Sequence, residues 1–160
     1  MKEVIEKISN YNFFNYLLPG IIFTNIADKF TTYVFLENNL VIAVFTYYFI
    51  GLVISRFGSL VIEPILIRSM FVKYTSYKKF IAASKQDEKI ELLTESNNMY
   101  RTFCSMLFLL LLLKIVEIIE LNYPNLMILN PYLLLLSLLT LFLYSYKKQS
   151  QYISERVNNQ

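Results

Sequence analysis

The sequence predicts an all-α polytopic membrane protein with four transmembrane helices and a helical cytosolic loop between the second and the third. The chain of 160 residues is 56% hydrophobic and only 17% charged, whereas soluble domains carry about 25% charged residues. Several apolar blocks approach the roughly 20 residues that a helix needs to cross a bilayer. Only three Gly and four Pro occur, which argues against long irregular regions. The length predicts a single membrane domain.

The first predicted span covers residues 12–27 and is interrupted by Pro19 and Gly20. Proline removes a helical hydrogen bond and glycine bends easily, so we expect a short or kinked helix. The alternative is a re-entrant or interfacial segment that does not cross. Polar residues at 28–39 form the first external connection.

The second predicted span, residues 40–60, organises the rest of the chain. It is apolar to about residue 55 and is expected to continue as a helix towards Pro64. Gly51, Ser55 and Ser59 recur every four residues, so they share a helical face. Small residues at this spacing let membrane helices approach closely, which predicts packing within or between subunits. The alternative is that Gly51 is a gating hinge.

Residues 64–100 are predicted to be a water-facing helical segment, basic and aromatic first and acidic later. The third span, about 102–121, is the clearest hydrophobic block. The fourth, about 131–147, begins with Pro131 at the first helical position, which suits proline, and ends at a lysine pair.

The basic residues predict the orientation. Of 15 Lys and Arg, eight lie between residues 56 and 101 and none between the third and fourth spans. Cytoplasmic loops carry the excess of basic residues. We therefore expect the protein in the inner membrane of a bacterial cell, with both termini and the long loop in the cytoplasm.

Two charged pairs are predicted near or within the membrane, where a charge costs about 2.5–3.5 kcal/mol or more. Arg56 and Glu63 are seven residues apart and could line an inner vestibule of a pore. The alternative is a snorkelling arginine and an ordinary ion pair. Lys114 and Glu117 could form a charged ring in an oligomer, a known means of selecting ions. The alternative is a local pair that snorkels outward.

A basic group is the candidate site for an anionic ligand such as a nucleotide or oligonucleotide. Its members are Lys73, Lys78, Lys79 and Arg101. Lysines offer charge to phosphates, and the neighbouring tyrosines offer stacking faces. The alternative is attachment to the anionic inner leaflet, to which each basic residue near the surface contributes about 1 kcal/mol.

The composition excludes several kinds of site. The chain has no His and a single cysteine, Cys104, so His-based zinc sites, Ser–His–Asp triads and intrachain disulfides are impossible. No phosphate-binding glycine motif is present. Glu63, Glu95 and Arg101 could form a polar site, but no nucleophile–base pair accompanies them. We therefore predict a protein that is not an enzyme and that uses no cofactor or metal.

The stretches GLVISRFGSLVIEPIL at 51–66 and ELLTESNNMYRTF at 91–103, the latter entering a Leu-rich span, carry a resemblance. They resemble small four-span membrane effectors of bacterial antiphage defence systems, the Hailong-like channel effectors. The resemblance implies an effector that permeabilises or depolarises the inner membrane when a partner senses infection. It transfers no functional residue.

The sequence therefore leads to one hypothesis and one rival. The first is a homo-oligomeric channel or pore gated through its basic loop, because four short spans can hardly enclose an aqueous path alone, whereas a cyclic oligomer can. The rival is a non-conducting membrane anchor or sensor subunit that recruits a soluble regulatory protein.

Overall fold

The computed structural model describes residues 10–35 and 38–158. These residues contain five helices and one short 3-10 segment, joined by connections without regular structure. No strand occurs in these residues. Four of the helices form a bundle, and the fifth is a short helix at one end of it. We call the end at which the first helix begins and the second helix ends the inner end, and the opposite end the outer end.

Helices α1 and α2 each contain a π turn just before a proline. Helix α1 consists of Asn10–Asn12, the π turn Phe13–Leu17 and Leu18–Phe30. Helix α2 consists of Leu40–Phe57, the π turn Gly58–Ile62 and Glu63–Arg68. A proline lacks its N–H and crowds the preceding turn, and a wider π turn lets the helix continue past it. Where the sequence predicts a short or kinked helix, the structure has a π turn, Phe13–Leu17, just before Pro19.

The other helices are longer than their predicted spans. Helix α3 is Tyr77–Ser84, α4 is Lys89–Asn122 and α5 is Asn130–Asn158, which follows the 3-10 segment Pro124–Leu129. Helix α4 merges the end of the predicted cytosolic segment with the third span. Helix α5 continues the fourth span by eleven residues past residue 147, so both helices extend beyond the apolar region at the inner end.

Three of the described helices are long and apolar enough to cross a membrane, which indicates a membrane-associated protein. They are α2, α4 and α5. The prediction of four such helices is corrected here: α1, which covers the predicted span 12–27, is not among them. Its apolar residues are diluted by Asn12, Asn15 and Asn25, and each amide is costly to expose to hydrocarbon.

Helix α1 is nevertheless the most enclosed helix of the bundle. A Cβ on Gly20 would lie 1.8 Å from the carbonyl oxygen of Tyr47, and one on Gly51 would lie 1.7 Å from that of Tyr16. The two helices therefore run antiparallel with their backbones in contact. Thr24, fully buried, donates to the Gly20 carbonyl at 3.0 Å, so its hydroxyl is satisfied within α1.

The apolar core lies where α1, α2 and α4 meet. Its buried members are Phe23, Ala27, Ile54 and Met106. Across this contact the Ser105 hydroxyl donates to the Ile54 carbonyl at 2.8 Å. Helix α5 packs mainly on α2, through contacts such as the stacked rings of Phe49 and Phe142, 6.1 Å apart. The core therefore holds three helices together and leaves α5 at the edge.

Candidate functional site

Three helices converge on one carboxylate at the inner end. Glu63 of α2 forms an ion pair through Oε2 with Arg101 of α4. Its other oxygen, Oε1, lies 3.2 Å from Nζ of Lys148 on α5. Side chains of all three residues are largely enclosed, with 14% to 24% of their surface exposed. We call Arg56, Ser59, Glu63, Arg101 and Lys148 the inner cluster.

The π turn of α2 explains why Lys148 reaches this point. Within the turn, the Glu63 N–H donates to the Gly58 carbonyl, and the next residue that could donate to the Ser59 carbonyl is Pro64, which has no N–H. The Ser59 carbonyl therefore lacks a helical donor, and Lys148 Nζ donates to it at 2.7 Å and to the Ser59 hydroxyl at 2.8 Å. The proline of α2 thus creates an acceptor for α5.

The inner cluster contains more positive than negative charge. It combines three cations, Arg56, Arg101 and Lys148, with the single carboxylate of Glu63, and Arg56 forms no salt bridge with any residue in 10–35 or 38–158. Arg56 instead lines a small cleft between α2 and α5 together with Ser145 and Lys148. The cleft has a volume of about 20 Å³, enough for one water-sized group.

Aromatic contacts connect this cluster to the short helix α3. Lys148 Nζ lies 5.7 Å from the centre of the Tyr152 ring, a cation–π contact. Tyr152 in turn stacks on Tyr77 of α3, with the ring centres 6.2 Å apart. A shift of α3 would therefore move Tyr152 and change its contact with Lys148.

The basic group predicted from the sequence is divided by the fold. Lys78 and Lys79 lie on α3, Lys73 lies on the connection before it, and all three are exposed. Arg101 is enclosed instead and pairs with Glu63. The structure thus leaves three lysines on the surface and brings the fourth residue into a different cluster.

Lys114 and Glu117 of α4 connect this helix to the end of α1 at the outer end of the bundle. Glu117, 3% exposed, pairs with Lys114 and accepts a hydrogen bond from the Thr32 N–H at 2.6 Å. Lys114 Nζ donates to the Phe30 carbonyl at 2.9 Å, a carbonyl at the C-terminus of α1 that has no helical partner. Both side chains thus bind the end of α1 and the segment after it.

We expect Glu117→Gln to lower the free energy of unfolding by about 1–3 kcal/mol, because a buried charge-assisted contact is lost and Lys114 loses its anion. Chemical or thermal unfolding in detergent micelles measures this. Glu91→Gln, at an exposed position of the same helix, is the control and is expected to change stability by less than about 0.5 kcal/mol. Equal effects of the two substitutions on stability would contradict a stabilising contact of Glu117 with Lys114 and Thr32.

The three small residues of α2 contact three different helices. Gly51 meets the backbone of α1. Ser55 is buried against α4, where the Thr102 hydroxyl lies 3.4 Å from its own. Ser59 meets α5 as an acceptor for Lys148. Helix α2 is therefore the central element of the monomer.

Two residues of this region, Ser145 and Lys148, are not indicated as site residues by the sequence. Lys148 stands out only as part of the lysine pair at the end of the fourth predicted span. Ser145 and Lys148, three residues apart, continue the spacing of Leu138 and Leu141 and mark the face of α5 that packs on α2. Because leucines occur on every side of α5, an apolar periodicity does not reveal this face.

A polar stripe runs along another side of α5. Ser137 and Thr140 are followed at helical spacing by Tyr144, Lys147 and Gln151, and all five side chains are exposed. The Ser137 and Thr140 hydroxyls donate to the carbonyls of Leu134 and Leu136, each at 2.8 Å, so their oxygens remain free to accept. No part of the most apolar stretch of α5 is buried in the monomer. We call these five residues the α5 stripe.

No group of three or more metal-ligating side chains occurs in the described ranges 10–35 and 38–158. Comparison of the chain with protein-family models, curated proteins and solved structures gives no significant match. The resemblance to antiphage effectors therefore stays a prediction from the two sequence stretches at 51–66 and 91–103, and the function has to be argued from the geometry.

Proposed function

We propose that this protein is a subunit of a homo-oligomeric channel or pore in a bacterial inner membrane, with both termini in the cytoplasm. In keeping with the resemblance of its sequence, we propose that it acts as an effector of antiphage defence. Opening would be controlled at the inner end by a nucleotide, an oligonucleotide or a soluble protein.

The observation that supports a pore is the α5 stripe. Two hydroxyl groups exposed at helical spacing on an otherwise Leu-rich helix suit a polar or packed surface better than lipid. Lys147 and Gln151 continue the same side of α5 at the inner end. A cyclic oligomer places the same side of one helix per subunit around its axis. In such a ring the stripe would line the aqueous path, and the leucines of α5 would face neighbouring subunits and lipid.

The sequence favours helix α2 for this role, because Arg56 and Glu63 could line an inner vestibule of the pore. The contacts of the monomer favour α5 instead. Helix α2 is in contact with α1, α4 and α5, and Glu63 is already paired with two cations. Apart from Arg68 at its end, the large exposed side chains of α2 are apolar, among them Val41, Phe45 and Phe49.

Control from the inner end would act through α3. An anionic ligand bound by Lys73, Lys78 and Lys79 would contact the connection before α3 and the helix itself. The stacked rings of Tyr77 and Tyr152 link this helix to α5, the proposed pore-lining helix. A ligand opens or closes the path only if it binds one arrangement of α3 more tightly than the other.

The test is electrical recording from the purified protein in planar bilayers, with candidate nucleotides and oligonucleotides added to one side. We expect discrete conductance, and we expect the double substitution Ser137→Leu and Thr140→Leu to abolish it by making the path apolar. Leu143→Ala, at an exposed position outside the stripe, is the control and should conduct as the wild type does. Conduction unaffected by the double substitution would contradict pore lining by α5.

A second candidate function, a non-conducting anchor or sensor, is favoured by one specific observation. The inner part of α4 exposes Leu92 and Leu93, with 65% and 68% of their surface accessible, outside the apolar span. Apolar residues exposed in a water-facing helix suit a protein partner. A monomer without conductance that binds a soluble protein stoichiometrically would favour this function.

A further inference from the structure

The cleft between α2 and α5 contains polar groups that lack partners. Ser145 is 9% exposed, and its hydroxyl has no hydrogen-bond partner within residues 10–35 and 38–158. It lines the cleft beside Arg56 and Lys148. A buried hydroxyl without a partner is uncommon in folded proteins, and such a group usually bonds a water molecule, an ion or a ligand. This arrangement indicates that the cleft receives a ligand.

The charges of the inner cluster specify the chemistry of that ligand. Lys148 Nζ already donates to Ser59 and Glu63, so the guanidinium of Arg56 is the cation still available. A guanidinium and a hydroxyl side by side favour an anion with several acceptor oxygens, and arginine is suited to phosphate and carboxylate. The excess positive charge of the cluster favours the same class.

The size of the cleft and its position along α2 narrow the choice of ligand further. A volume of about 20 Å³ accepts a single oxygen atom but not a base or a sugar, so the rest of the ligand has to remain at the mouth. Arg56 follows directly on the apolar part of α2, which places it near the level of the lipid phosphates. Leu60 also lines the cleft and offers an apolar wall.

We propose that this cleft binds the phosphate group of an anionic phospholipid, with one phosphate oxygen between Arg56 and Ser145. The lipid would bridge α2 and α5, whose direct contact is otherwise limited. A lipid whose headgroup carries its own cation would be disfavoured by the positive cluster. This inference does not rest on conduction, because a lipid can occupy the cleft in a pore, an anchor or a monomer.

Native mass spectrometry of the purified protein tests the proposal. The full-length protein is exchanged into detergent with equal amounts of phosphatidylglycerol and phosphatidylcholine, and inorganic phosphate is titrated separately. We expect retained phosphatidylglycerol in clear excess over phosphatidylcholine. Arg56→Gln should lower this retention at least about tenfold, the loss expected for a charge-assisted hydrogen bond. Ser145→Ala should lower it by a smaller factor.

The controls lie on the same two helices. Arg68→Gln on α2 and Ser150→Ala on α5 change exposed residues of the same types and should retain the lipid as the wild type does. Ser145→Leu fills the cleft without removing a charge, so it also should abolish the preference. It serves as the decisive variant if Arg56→Gln does not fold.

Three outcomes decide the question. Loss of the phosphatidylglycerol preference in the cleft variants alone supports the lipid site. Binding of inorganic phosphate that depends on Arg56, with no preference between the lipids, would overturn the lipid source in favour of free phosphate. Equal retention of both lipids in the wild type, with no dependence on Arg56 and no phosphate binding, would overturn the site itself.

Discussion

Replacing Gly51 by alanine is expected to destabilise the protein more than any other single methyl group added to α2. The new Cβ would lie 1.7 Å from the Tyr16 carbonyl oxygen and 2.5 Å from its carbon. Both are backbone atoms, so α1 as a whole has to move away. Overpacking of this kind costs about 1–3 kcal/mol, and more where rigid backbone is displaced. We expect about 3 kcal/mol.

Gly58→Ala is the matched control, because it adds the same methyl group to the same helix. Its nearest neighbour would be the Cβ of Ser105 at 3.2 Å, a side-chain atom that needs to yield by only a few tenths of an ångström. The gain in helix propensity, about 1 kcal/mol, offsets that cost. Thermal unfolding followed by circular dichroism should show a fall of several degrees for Gly51→Ala alone. Equal melting temperatures for the two variants would contradict the backbone contact of α1 and α2.

Replacing Glu63 by glutamine is expected to have the other large effect. The substitution keeps the shape of the side chain but leaves Arg101 and Lys148 enclosed without an anion. Removing one partner of a buried ion pair costs about 3–5 kcal/mol. The partial exposure of these side chains reduces that cost, so we expect about 2–3 kcal/mol and weaker attachment of α5.

A double-mutant cycle with Arg101→Gln separates this ion pair from general damage. The combined loss of stability should be smaller than the sum of the single losses by about 1 kcal/mol or more, because the two residues interact directly. Strict additivity would contradict the ion pair. Glu91→Gln on the exposed part of α4 should leave the unfolding transition unchanged.

The fold class and the position of the apolar helices follow from local composition. The runs at 40–60, 102–121 and 131–147 contain enough apolar residues to be recognised from their length alone. Helix α1 could not be assigned in the same way. Asn15 and Pro19 are buried because α1 packs on α2 and α4, and an unaligned sequence does not show that a segment is covered by protein rather than by lipid.

The candidate site was only partly predictable. The charges of Arg56, Glu63, Lys114 and Glu117 stand out in an apolar sequence. The spacing of three between Lys114 and Glu117 also indicates that they pair. The contact between Glu63 and Lys148 is not indicated, because 85 positions of the chain separate the two residues. The contact also depends on a π turn that frees the Ser59 carbonyl, and no periodicity in the sequence indicates it. Such long-range pairings require the tertiary structure.

The proposed pore is tested most directly by particle imaging of the protein in lipid nanodiscs. We expect a closed ring of identical subunits in which Ser137, Thr140 and Tyr144 of every α5 face the central axis. A monomer, or a ring in which these residues face lipid, would contradict the pore.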